Sequence, residues 1–143
     1  MIKSYRGKLA DGDIDTISLH TNTGKTGYRI KNFRLIGNQP GVDRQESTVK
    51  IFSIPQTVAT STIDFSDNTL LAAGFASADN SGQFYPINEI VIFDNVKFNQ
   101  DIYITHVESA NTFPCNYYLE LEQIRLTEDQ ALIAIVKNLR NEQ

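Results

Sequence analysis

Short apolar runs separated by turn-forming residues make up most of residues 1–126, and this pattern constrains the fold more than any other feature. In NYYLELEQIRL, Tyr117, Leu119 and Leu121 share one parity, whereas Tyr118 and Glu120 share the other. That alternation is typical of a β-strand with one buried face. About seven to nine such strands, with Gly, Asn, Asp and Pro between them, predict an all-β, antiparallel β-sandwich that is jelly-roll-like. Strands do not alternate with helical segments, which argues against an α/β fold.

The segment YRIKNFRLI changes its apolar parity part-way along. Tyr28 and Ile30 share one parity, whereas Phe33 and Leu35 share the other. A one-residue change of phase near Lys31–Asn32 predicts a β-bulge.

Two further stretches carry less specific signals. TNTGKTG, residues 21–27, has two glycines and an asparagine and predicts a hairpin connection. Leu70–Ala76 is compatible with one helical turn or with a strand that contains Gly74, and the sequence leaves both open.

The C-terminal segment has helical rather than strand periodicity. Thr127 is a candidate N-cap with Gln130 three residues later, which is the spacing of a capping box. An apolar i, i+3, i+4, i+7 stripe follows, with a basic residue in the last turn: Leu132, Ile135, Val136, Leu139 and Arg140. We therefore predict an amphipathic α-helix over residues 127–140 that docks on its own sheet or on a neighbouring subunit.

Length and composition indicate one globular domain spanning residues 1–143, with the sandwich over 1–126. Hydrophobic residues make up 41% and charged residues 21%, which is typical of a folded chain rather than a disordered one. The net charge is −4 and no run of Lys and Arg is present. Because phosphate contacts need clustered basic residues, we predict no nucleic-acid partner.

The cysteine count and the lengths of the apolar runs indicate the cellular compartment in which the chain folds. Cys115 is the single cysteine, so no internal disulfide can form and a reducing cytoplasm suits the chain. The N-terminal residues lack the apolar region of a secretory signal, and no run approaches the length of a membrane span. We predict synthesis in a cytoplasm and no membrane partner.

Residues of catalytic type form no recognisable motif. His106 and Cys115 could be neighbours on paired strands, but we interpret His106 as a surface residue at a strand end and Cys115 as a small buried or half-buried residue. His20 also lies near a predicted strand end, and no CxxC, HxH or HExxH spacing occurs. Asp11–Asp15, DGDID, lacks the later ligands of a calcium loop and predicts a turn. We therefore predict no catalytic residue, no metal, no cofactor and no enzymatic activity.

Several longer segments together resemble a known group of proteins. The segments are MIKSYRGKLADG, GYRIKNFRL, KIFSIPQT, FSDNTLLAAG, IFDNVKFNQDIYITH and CNYYLELEQIRL. They resemble small virion structural proteins of marine tailed bacteriophages, and the resemblance spans nearly the whole chain. It implies a particle component, for instance a head decoration or cement protein or a part of the tail. It implies no catalytic residue.

Composition, fold class and resemblance lead to one functional prediction and one alternative. We predict a capsid decoration or cement protein of the virion, made in the host cytoplasm, whose partners are the major capsid protein and copies of itself in a homo-oligomer. The expected interface residues lie in the two terminal segments: Tyr5, Arg6, Leu132, Ile135, Val136, Leu139 and Arg140. The alternative is a tail or vertex carbohydrate-binding module that binds a host glycan through some of the six tyrosines.

Overall fold

Eight antiparallel strands form two sheets in the structure, a computed structural model that describes residues 1–19, 26–42, 44–78, 87–93 and 96–126. The three-stranded sheet has the order β1-β8-β3 and the five-stranded sheet the order β2-β7-β4-β5-β6. The strands are β1 (Ile2–Leu9), β2 (Ile14–Ile17), β3 (Thr26–Gly37), β4 (Gln45–Phe52), β5 (Leu70–Ala78), β6 (Ile87–Ile92), β7 (Ile102–Glu108) and β8 (Cys115–Arg125).

The two sheets share one apolar core, which confirms the predicted all-β fold in a β-sandwich-like arrangement. Leu119 and Leu121 of β8 and Ile102 and Ile104 of β7 have no exposed surface and belong to one hydrophobic cluster. Because successive side chains of a strand point to opposite faces, the alternate residues of each strand form two outer faces. Within the described ranges no helix is present that could span a membrane. The predicted helix over 127–140 lies outside those ranges.

The predicted bulge in β3 is confirmed. The register between β3 and β8 shifts between Ile30 and Asn32. Ile30 is buried before the shift and Phe33 after it, so one extra residue keeps apolar side chains of both parities facing the core.

The predicted hairpin at residues 21–27 is wrong, because the flanking strands belong to different sheets. β2 pairs with β7, whereas β3 pairs with β8. The chain therefore passes from one sheet to the other between β2 and β3. A glycine-rich segment serves either kind of connection, so local turn chemistry did not distinguish them.

The ambiguous stretch Leu70–Ala76 lies within strand β5. Its run of buried residues has no alternation because both faces of this strand are covered. Leu71 and Ala72 contact the main core, whereas Leu70 and Ala73 belong to a second cluster on the outer side.

Residues 53–69 form part of the cover over that outer side. Lys50 points outward, since its neighbours on both sides are core residues, yet the residue is only 4% exposed. Its Nζ donates hydrogen bonds to Thr60 Oγ1 at 2.9 Å and to the carbonyl oxygen of Thr62 at 2.7 Å. The same ammonium group lies 5.4 Å from the centre of the Phe52 ring. Lys50 thus fixes this segment to the five-stranded sheet.

Candidate interaction surface

The outer face of the three-stranded sheet is a regular grid of mainly polar side chains. Pairing of β8 with β1 on one side and β3 on the other aligns the side chains in rows of three. The four rows are Ile2–Glu122–Arg29, Ser4–Glu120–Asn32, Arg6–Tyr118–Arg34 and Lys8–Asn116–Ile36. We call this set, together with Lys31 at the bulge between the first two rows, the grid face.

The row of Arg6, Tyr118 and Arg34 is the most distinctive part of the grid face. The two arginines flank the tyrosine from opposite neighbouring strands. Tyr118 is 37% exposed, and its hydroxyl group donates a 2.8 Å hydrogen bond to Glu120 Oε1. That hydrogen bond to the carboxylate raises the pKa of Tyr118. In the described part of the chain, neither guanidinium group forms an ion pair with a carboxylate.

The charge at one end of the grid face is partly neutralised. Arg29 Nη2 lies 3.1 Å from Glu122 Oε2, and Lys31 Nζ lies 3.5 Å from the same oxygen. The hydrogen bond from Arg29 is the main reason that the pKa of Glu122 is lowered. The uncompensated positive charge of the face is therefore concentrated around Arg6, Lys8 and Arg34.

Apolar side chains are exposed on the grid face as well. Ile36 is 61% exposed and Ile2 is 50% exposed, at opposite ends of the grid. Tyrosine and arginine beside exposed aliphatic residues are the composition that protein interfaces favour. This composition favours contact with a protein surface over binding of a ligand in a deep pocket.

The two predicted interface residues of β1 point to opposite faces of the sheet. Arg6 is exposed on the grid face, whereas Tyr5 points to the inner side and packs against the core. Burial raises the pKa of Tyr5. The predicted interface residues of the helix lie outside the described ranges: Leu132, Ile135, Val136, Leu139 and Arg140. Sequence reasoning missed Tyr118 and Arg34, although their parity opposite Tyr117 and Leu35 could have indicated them.

A buried hydrogen-bond network surrounds His106, contrary to the expectation of a surface histidine. His106 Nδ1 lies 3.0 Å from the carbonyl oxygen of Ala10, so this nitrogen carries the proton and donates. Nε2 then accepts from the Ser47 hydroxyl group at 3.0 Å. Gln45 Nε2 donates to Ser47 Oγ and to the carbonyl oxygen of Pro114, each at 2.9 Å. The network ties the start of β4 to the segments that follow β1 and precede β8.

Ser47 and His106 have the separation of a nucleophile and its base, but their burial argues for a structural role. Both residues have no exposed surface, and the ring is oriented by a backbone carbonyl of Ala10. Cys115 is also fully buried, as predicted, and burial raises the pKa of its thiol to about 11. A hydrogen bond with the Ser47 hydroxyl opposes that shift. A thiol with this pKa stays protonated at neutral pH, which is the opposite of an activated nucleophile.

The predicted turn is confirmed at residues 11–13, whereas the last two residues of the predicted turn, Ile14 and Asp15, belong to β2. Gly12 has a φ of 84°, and Asp13 Oδ2 accepts a hydrogen bond from the amide of Ala10 at 2.8 Å. Asp11 Oδ1 accepts from the amide of Glu108 at 2.9 Å. Both carboxylates thus organise backbone groups. Across the described ranges, no group of three or more His, Cys, Asp or Glu side chains is arranged to hold a metal ion.

A small pocket opens between the sheets where β3 ends. It has a volume of about 120 Å³ and mainly apolar walls, with Leu35 and Ala76 on opposite sheets and Gln45 beside them. Ligand pockets usually measure roughly 300–1,000 Å³. This pocket therefore suits one aliphatic side chain rather than a sugar ring.

Comparison with known proteins assigns no relative: no protein-family model and no curated protein matches the chain.

Proposed function

We propose that this chain is a structural subunit of a phage virion, most specifically a capsid decoration or cement protein, and that the grid face is its main protein contact. The observation that carries the proposal is the row of Arg6, Tyr118 and Arg34. Two guanidinium groups that form no ion pair with any described residue flank an exposed ring on one sheet, in the composition of an interface hot spot. The partners are the major capsid protein and copies of the chain.

The strand order supports a jelly roll, a fold common among viral capsid proteins. In an eight-stranded jelly roll, one sheet has the order 1-8-3-6 and the other 2-7-4-5. The orders β1-β8-β3 and β2-β7-β4-β5 agree with this scheme. β6 departs from it by pairing with β5, although it also contacts β3. We propose a jelly roll in which the sixth strand has joined the larger sheet.

The C-terminal helix belongs to the same proposal. The apolar stripe of residues 127–140 and its terminal Arg140 form a second contact, with the chain's own sheet or with a neighbouring subunit. Deleting residues 127–143 should remove helical signal from the circular dichroism spectrum. An unchanged spectrum at 222 nm would contradict the helix.

Incorporation into particles tests the proposed function. Particles assembled with wild-type chain should retain it through purification, whereas Arg6→Glu/Arg34→Glu should lower its copy number at least about tenfold, since loss of interface anchors costs 1.4 kcal/mol or more. Lys97→Glu is a charge-reversal control at an exposed residue outside both sheets. The proposal fails if wild-type chain is absent from the particles. Equal retention of the double variant would refute the grid face as the contact.

A carbohydrate-binding module at the tail or a vertex is the second candidate. The exposed ring of Tyr118 on a flat face, beside Asn116 and Glu120, is a platform on which a sugar could stack. A glycan array would support this function if wild-type chain binds a glycan and Tyr118→Ala does not. An array with no signal above background would exclude it.

A further inference from the structure

We propose that the grid face binds the opposite face of a second copy, so that copies stack head to tail. The inference rests on the proposed function, because it names one partner of the surface described above. The two sheets pack through their inner faces, so their outer faces point in opposite directions. A contact between unlike faces is heterologous and can be repeated from copy to copy.

Charge is distributed unequally between these two outer faces. The grid face carries five basic side chains and two carboxylates, a net charge of +3 on a chain whose net charge is −4. The basic residues are Arg6, Lys8, Arg29, Lys31 and Arg34, and the acidic ones are Glu120 and Glu122. The grid face is therefore a basic surface on an acidic protein.

The opposite face is acidic. It consists of the outer side of the five-stranded sheet and residues 53–69, and we call it the loop face. Asp64 and Asp67 lie in the covering segment, and Glu89 lies on edge strand β6, paired with Phe75. In the described part of the chain these three carboxylates have no cationic partner within ion-pair distance.

Two observations place the acidic groups of the covering segment on the loop face. Phe65, the residue after Asp64, packs edge-on against the Phe93 ring, and the two ring centres are 5.3 Å apart. Asp67 Oδ1 accepts hydrogen bonds from the amide and hydroxyl groups of Thr69, the residue directly before β5, and the charge of Asp67 opposes the lowering of the Lys50 pKa by burial. The pKa of Asp64 is lowered by hydrogen bonds from Ser66, which favours the charged form.

Exposed apolar groups complete the complementarity of the two faces. Phe65 is 58% exposed and Val91 is exposed on the loop face, as Ile36 and Tyr118 are on the grid face. Because exposed ion pairs contribute little to affinity, charge orients the contact and apolar burial stabilises it.

The size of the grid face predicts a weak contact. Three strands about 4.8 Å apart and four rows about 6.8 Å apart cover roughly 400 Å². A stable interface buries about 800 Å² on each partner. Association in solution should therefore depend on protein concentration and decrease with salt, because salt screens exposed charges.

Sedimentation velocity of the full chain at several concentrations tests the stacking. At low salt the average mass of wild-type protein should rise with concentration above the 16.1 kDa of one chain, and high salt should return it to that mass. Arg6→Glu/Arg34→Glu should stay monomeric. Asp64→Asn/Glu89→Lys should also stay monomeric; the asparagine keeps an oxygen that accepts the hydrogen bonds from Ser66.

Mixing the two variants gives the decisive result. Each retains one wild-type face, and their altered faces also have opposite charges, so an equimolar mixture should regain association. Lys97→Glu should associate as wild type does, and circular dichroism should show all variants folded. The inference is overturned if wild-type protein stays monomeric, if the loop-face variant associates normally, or if the mixture remains monomeric. If the grid-face variant is lost from particles but the wild-type protein does not self-associate, the proposed function stands and only the stacking is refuted.

Discussion

At the scale of single residues, the Ser47 hydroxyl group is the centre of the buried network. It donates to His106 Nε2 and accepts from Gln45 Nε2, and all three residues are buried. Leaving a buried polar group unsatisfied costs more free energy than a hydrogen bond contributes on balance. The Ser47 oxygen atom therefore contributes to the stability of this end of the sandwich by satisfying two other buried polar groups.

Replacing Ser47 with alanine should lower the free energy of unfolding by about 1–3 kcal/mol, because one donor and one acceptor are left without partners in the interior. Urea unfolding monitored by circular dichroism measures the change. Ser18→Ala, at an exposed position, should change the stability by less than about 0.5 kcal/mol. Equal stability of the two variants would show that the network contributes nothing.

Cys115 should make stability depend on alkaline pH. The folded thiol has a pKa of about 11, raised from 9.0 by burial. Between these values the unfolded chain releases the proton and the folded chain keeps it, so stability decreases as pH rises. From pH 8 to pH 10.5, wild type should lose about 1–2 kcal/mol more than Cys115→Ala in urea unfolding. Parallel pH profiles would contradict the raised pKa.

At the scale of elements, β5 shows how closely the two sheets approach each other. A Cβ atom on Gly74 would lie 2.7 Å from Cδ1 of Ile90 and 2.8 Å from Cδ1 of Leu35 on the opposite sheet. Real contacts are essentially never that short, so a side chain here must displace its neighbours. Gly74 lets β5 pack directly under β3.

Gly74→Ala should destabilise the protein by about 1–3 kcal/mol through overpacking. Ile90→Val deletes the Cδ1 atom nearest to the added methyl group, so the same glycine substitution should cost less in that background. Urea unfolding of the four proteins in this double-mutant cycle measures the coupling. Additive effects would show that the two positions do not compete for space.

The strands also show which features of the fold could be predicted from the sequence. The bulge of β3 follows from local parity, since Tyr28 and Phe33 both have to reach the core. The state of β5 could not be derived locally, because its burial on both sides depends on how the sheets and residues 53–69 pack around it. His106 shares the parity of Ile102 and Ile104, so its burial was accessible from the pattern. Its hydrogen-bond partners Ala10 and Ser47 could not be predicted, because only the folded arrangement of distant strands brings them next to the ring.

At the scale of the whole molecule, the sandwich presents a basic grid face and an acidic loop face in opposite directions. The candidate site was only partly predictable, because Arg6 could be named from sequence but the row it shares with Tyr118 and Arg34 depends on the pairing of three distant strands. Such a row forms only once β8 lies between β1 and β3. Under the proposed function, the role of the chain depends on which of these two faces contacts a partner.

Cryo-electron microscopy of the intact particle tests the proposed role most directly. The chain should appear in many ordered copies on the head, with Arg6, Tyr118 and Arg34 buried against protein density. If those copies stack, the density on the grid face should be the loop face of a neighbouring copy. A particle that lacks the chain, or one in which the grid face of every copy is open to solvent, would contradict the proposal.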